Sequence, residues 1–195
     1  MSLLVLHTLR CIGFAGTARI AGATGMSESD VESELIDLAV DGLVTHLSGE
    51  FGGWGLTDEG RAVDARRITG ELESAGARPA LTEAFHEFMV LNPELLDLCT
   101  AWQLRPGGIV NDHRDTAYDS RVLGRFNDFH ERAVVVCGHL SAAQPRFDRY
   151  RVRLAEALKR AEAGELAYVA DDIASYHAVW AQLHEDLLAT LGIPR

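Results

Sequence analysis

The chain has 195 residues, 47% of them hydrophobic and 24% charged, a globular balance that excludes a disordered chain and points to one or two domains. Its net charge is −11, and no apolar run is long enough to cross a bilayer, so neither a strongly basic nucleic-acid binder nor a membrane protein is expected. Three cysteines, Cys11, Cys99 and Cys137, stand far apart in odd number and form neither a disulfide framework nor a zinc-type CxxC pair. A cytoplasmic protein without cofactor or metal is the expectation.

The opening SLLVLHTLRC is apolar, but His7 and Arg10 interrupt it and no basic segment precedes it. It reads as a first helix over 2–12, not as a signal peptide. A GFAG turn leads to a second helix over 17–23, which Gly25 ends. Ser27 then caps a third helix running to about Val40, with Glu28 and Asp30 complementing the positive end of its dipole. Two short apolar runs, 43–47 and 54–56, flank a glycine-rich SGEFGG loop and predict a β-hairpin. Thr57 caps a fourth helix to about Glu73. Gly76 and Pro79 break the pattern, which places a domain boundary at 77/78.

The segment SESDVESELIDLAVDGLVTHLSGEFGGWGLTDEGRA resembles the recognition helix, wing and closing helix of MarR-like bacterial transcriptional regulators. The order of three helices, hairpin and helix over residues 1–77 is that of a winged helix-turn-helix. The resemblance implies DNA as a partner, read by the third helix from the major groove. Ser29 and Ser33 on its outer face would meet bases, and Arg10, Arg19, Arg66 and Arg67 would meet phosphates. The charge opposes this. Residues 1–77 hold five Lys/Arg against twelve Asp/Glu, and 27–41 carry six carboxylates with no basic residue. Phosphate neutralisation drives non-specific affinity, so DNA binding and a solvated acidic face both stay open. Glu50 adds a further negative charge at the wing tip.

Residues 78–195 read as an all-α domain for dimerisation and ligand sensing. The expected helices cover 81–90, 93–104 with Pro93 in its first turn, 117–140, 145–163 and 171–191, giving a mainly α protein. The polar loop RPGGIVNDHRDT and the turn before it gather Trp102, Arg105, Asn111, Asp112 and His113. Arg105 there could clamp the carboxylate or phosphate of a small anionic effector, or simply pair with a neighbouring acid. In the last helix Ile173, Tyr176, Trp180, Leu183, Leu187 and Leu191 form an amphipathic stripe. His177 and His184 share its arc, so His177 could close the effector pocket. Seven residues put the two histidines about 10 Å apart along a helix, too far for one zinc ion.

These C-terminal segments also resemble a helical region of actinobacterial phosphoenolpyruvate-utilising, pyruvate phosphate dikinase-like proteins. That resemblance implies a regulatory or interaction module without DNA. No GxSxG, P-loop, GxGxxG or HExxH pattern occurs, so no catalytic residues and no enzyme activity are expected. A homodimer is expected, because an apolar face on an added helical domain needs a partner.

Overall fold

The computed structural model describes residues 3–49 and 52–194. The protein is mainly helical with two small antiparallel sheets, and its chain divides into two units. One comprises Met1–Arg78 together with Gln182–Arg195, the other Pro79–Ala181. The break after Arg78 lies beside the boundary drawn from Gly76 and Pro79. That the last residues group with the first unit is not anticipated by the sequence.

In the first unit, α1 (Leu3–Ile12), α2 (Thr17–Thr24) and α3 (Glu28–Val40) precede β1 (Val44–Leu47), β2 (Gly53–Leu56) and α4 (Asp58–Ser74). Ser2 and the wing-tip Glu50 lie outside the described residues. The three-and-four spacing of Val5, Leu6 and Leu9 in α1, and of Val31, Leu35 and Leu38 in α3, builds one core with Ile20, Leu43 and Val44. Ala39 packs against this core and is only partly covered.

Both predicted caps form. Ser27 Oγ accepts the Asp30 N–H at 3.2 Å, and Thr57 Oγ1 accepts the Gly60 N–H at 3.0 Å. The Thr57 hydroxyl also donates to the Gly42 carbonyl at 2.8 Å, which binds the start of α4 to the turn after α3. Gly60 sits against that turn: a Cβ there would stand 1.9 Å from the Leu43 carbonyl oxygen. Only glycine permits this approach.

The hairpin pairs Val44 with Leu56 and His46 with Trp54. Ala15, between α1 and α2, joins it as an isolated antiparallel bridge. Its N–H reaches the Trp54 carbonyl at 3.0 Å, and its carbonyl receives the Trp54 N–H at 2.8 Å. Neighbouring Gly53 has no room for a Cβ, which would meet the Ala15 oxygen at 2.8 Å.

The second unit follows from α5 (Arg78–Gln103) through β3 (Leu104–Arg105), β4 (Ile109–Val110) and α6 (Thr116–Ala143). A 3-10 turn (Pro145–Phe147), α7 (Asp148–Glu162), α8 (Ala167–Ala170) and α9 (Tyr176–Leu191) complete the chain order, α9 running on into the first unit's residues. Where two helices were expected over 81–104, α5 is continuous and Pro93 lies inside it. A proline in a helix interior costs about 3 kcal/mol. Leu91, Leu95, Leu98 and Trp102 are buried on either side, each contributing about 1.5–3 kcal/mol, so burial outweighs the break.

Two further expectations change. Residues 104–110, expected as a helix end and a loop, hold a two-residue β-pairing, Leu104 with Val110 and Arg105 with Ile109. The last helix starts at Tyr176, not at 171, because Ser175 caps it by accepting the Ala178 N–H at 3.2 Å. Ile173 therefore falls outside the apolar stripe and is 58% exposed. Tyr176, Trp180, Leu183, Leu187 and Leu191 are buried as the spacing predicts. In the second unit Trp180 stacks on Phe88 with ring centres 4.5 Å apart and meets Phe129 edge-on at 5.2 Å. Its Nε1 donates to Asn92 Oδ1 at 2.9 Å.

Candidate functional site

The densest polar grouping in the first unit is buried. His7 projects from α1, Asp64 from α4 and Asp186 from α9, exposed by 2%, 0% and 0% respectively. His7 Nδ1 faces both oxygens of Asp64 at 3.0 and 3.1 Å, and Nε2 lies 3.0 Å from Asp186 Oδ1. Cys11, one helical turn beyond His7, brings its sulfur to 3.7 Å from the same Nε2. Thr190 Oγ1 stands 2.6 Å from the Asp186 carbonyl oxygen and 3.1 Å from its Oδ1.

Burial works against an imidazolium at His7. The negative charge available at Cys11 and Asp186, with hydrogen bonds to Asp186 and Asp64, overrides it and raises the His7 pKa well above its ordinary value. In its protonated form the ring donates to both carboxylates at once.

Cys11 also lines a cleft of about 680 Å³ in this unit, together with Arg10, Arg61, Glu185 and Leu188. Arg10 Nη1 donates to the Arg61 carbonyl at 3.5 Å. A buried thiol, an imidazole and a carboxylate thus meet at the edge of a cleft carrying two guanidinium groups. His7, Cys11 and Asp186 each offer one ligand atom, all within 4.8 Å of one another, a set of the right type to hold a metal ion. Sequence reasoning missed it. The nearest signal was the four-residue spacing of His7 and Cys11 on one helix face.

The residues predicted to meet DNA are distributed over the first unit. Ser29 and Ser33 are exposed on α3, and Ser33 Oγ donates back to the Ser29 carbonyl at 2.9 Å. Arg66 and Arg67 are exposed on α4, with Arg66 paired to Glu59 at 3.2 Å. Arg10 and Arg19 are half-buried, and Arg19 Nε is buried with no hydrogen-bond partner among the described residues. Glu28, Asp30, Glu32, Asp37 and Asp41 are all exposed along α3 and its cap, so that surface is acidic.

In the second unit Trp102, Arg105, Asn111, Asp112 and His113 do come together. Arg105 Nε donates to Asn111 Oδ1 at 3.1 Å, while its other nitrogens approach Asp112 at 3.4 Å and Asp115 at 3.9 Å. Asn111 is buried and donates to the Trp102 carbonyl at 3.0 Å and to Asp119 Oδ1 at 2.8 Å. His113, in the left-handed region with φ 55°, lies 3.1 Å from Asp119 Oδ2 and packs on the Trp102 ring at 4.6 Å. This network orders its own loop and ties it to Asp119 of α6, whose first turn Asp115 caps. His177 is half-buried in the first turn of α9, and no hydrogen bond or ring contact joins it to this cluster among the described residues.

Cys99 and Cys137 are buried in the second unit, where loss of hydration pushes both thiols up to about 12. A thiol held there carries little thiolate at neutral pH. His130, whose pKa burial lowers, meets the Tyr176 hydroxyl at 3.0 Å.

No protein-family model matches this chain, and neither a curated protein nor a solved structure matches it.

Proposed function

We propose that the chain is a transcriptional regulator of the winged-helix type, with residues 1–77 as its DNA-binding module and a homodimer as its working form. The observation that carries this reading is the two-way backbone pairing of Ala15 with Trp54. It ties the turn between α1 and α2 to the hairpin of β1 and β2 by an isolated bridge. Three helices, a hairpin bridged back to the first turn between helices, and a fourth helix support this reading. In this reading α3 is the recognition helix and Ser29 and Ser33 its base-facing residues.

The acidic surface of α3 sets the strength. Arg19, Arg66 and Arg67 are the cations left to meet phosphates, since Arg10 lines the cleft beside Arg61. Binding is therefore weak, and with so few contacts its salt dependence is shallow, about 0.9 log units per log unit of salt for each phosphate contact. Fluorescence anisotropy of the full chain on duplexes from its own promoter region, at several salt concentrations, tests this. A measurable affinity with a slope of two to three contacts supports the reading. Absence of binding at low salt overturns it.

One observation favours a second reading, an interaction module that binds no DNA. Five carboxylates stand exposed along α3 and its cap, and 27–41 contain no cation to offset them. The same titration separates the two.

A further inference from the structure

We propose that His7, Cys11 and Asp186 form a site for one divalent transition-metal ion of the zinc type, with Asp64 orienting the histidine from behind. The proposal is independent of DNA binding. Around a tetrahedral ion with bonds of about 2.0–2.3 Å, neighbouring ligand atoms stand roughly 3.3–3.8 Å apart. His7 Nε2 lies 3.7 Å from Cys11 Sγ and 3.0 Å from Asp186 Oδ1, and all three atoms fall within 4.8 Å of one another. An ion between them needs movements of a few tenths of an ångström to about an ångström, which side-chain rotations supply.

The donor types select the metal. Imidazole, thiolate and carboxylate together suit a borderline ion such as zinc, whereas magnesium and calcium take oxygen ligands. The positions suit it too. His7 and Cys11 are one turn apart on α1 and face the same way, while Asp186 arrives from α9, 179 positions from His7. The ion would staple the end of the chain to its first helix.

Asp64 supplies the outer contact that metal-bound histidines carry. Its two oxygens hold Nδ1, so the ring proton stays there and Nε2 keeps its lone pair for the ion. Thr190 steadies Asp186 in the same way. Loading is a balanced exchange: the divalent ion enters, and any protons carried by His7 Nε2 and Cys11 Sγ leave to solvent. Of the three ligands, Cys11 also borders the cleft that Arg10 and Arg61 line.

The test uses the full chain, stripped with chelator and titrated with cobalt(II), then with zinc. One cobalt per chain with a thiolate-to-metal charge-transfer band, displaced by zinc, is expected. Cys11→Ala removes the band, and Cys99→Ala keeps it. Asp64→Asn leaves the band but weakens binding about 10–100-fold. X-ray absorption of the zinc-loaded wild type gives a readout that requires no variant to fold: one sulfur among nitrogen and oxygen neighbours. Absence of a stoichiometric complex, a band that survives in Cys11→Ala, or a shell without sulfur overturns the proposal.

Discussion

Both carboxylate oxygens of Asp64 face Nδ1 of His7, across 57 positions of the chain and out of reach of water. In the metal-free protein this pairing makes the first unit sensitive to alkali. The folded-state pKa of His7 is raised above its unfolded value of about 6.5. The resulting stability is present in full below that unfolded value and is lost as pH rises through the folded pKa. Denaturant unfolding in chelator should therefore show stability declining on the alkaline side. Asp64→Asn, which removes one of the charges holding the imidazolium, should move the decline to lower pH. Asp64→Ala should cost about 3–5 kcal/mol, the usual penalty for breaking a buried ion pair. A stability that stays level through the alkaline range would show that His7 is neutral in the fold.

Gly60 and Gly70 lie ten residues apart on α4 and predict opposite outcomes. At Gly60 a methyl group would enter the Leu43 carbonyl, so Gly60→Ala should destabilise the first unit by at least about 1–3 kcal/mol. At Gly70, exposed with nothing within 4 Å of the added carbon, Gly70→Ala should stabilise by about 0.5–1 kcal/mol. Thermal melts of the two variants decide it, and equal shifts would mean that α4 does not start against the Leu43 turn.

The first unit was largely legible because its signals are local. Ser27 and Thr57 cap as their positions imply, and the apolar spacings of α1 and α3 face one core. Pro93 misled because the break it signals is a local cost, whereas the burial of Leu91, Leu95 and Leu98 that overrides it comes from tertiary packing. The start of α9 was misplaced for a related reason. Asp172 accepts the Ala174 N–H at 2.7 Å and so favours a turn where the apolar pattern continued. The loop around Arg105 was read correctly as a gathering of polar groups, with their mutual pairing left undecided. The His7 centre stayed hidden because its carboxylates come from residues 64 and 186, and no spacing rule reaches across such separations.

Among the described residues Asn92 Oδ1 accepts the Trp180 indole N–H, and Trp180 is 2% exposed. Asn92→Ala would strand that N–H in the core of the second unit, at a cost of about 1–3 kcal/mol. Trp180→Ala removes the stack on Phe88 and the edge contact with Phe129, at about 3–5 kcal/mol. Denaturant curves should rank the two in that order. Asn92→Ala at wild-type stability would mean the indole finds another acceptor.

The acidity of α3 makes a prediction whose sign separates the two functional readings. Glu32 and Asp37 are exposed, and neither lies in the first turn, where Glu28 and Asp30 favour the helix dipole. Glu32→Gln with Asp37→Asn should thus leave the fold intact, which circular dichroism checks. If α3 enters the major groove, each neutralisation removes a repulsion worth roughly 1 kcal/mol at contact distance in water, about a fivefold gain in affinity. The gain should shrink as salt rises, because screening reaches about 10 Å at 0.1 M. Anisotropy titrations of wild type and double variant at low and high salt measure both effects. Tighter binding that fades with salt places α3 against phosphates. Identical curves for the two proteins would take this face away from DNA and leave the interaction module as the better account of an acidic, solvent-facing helix.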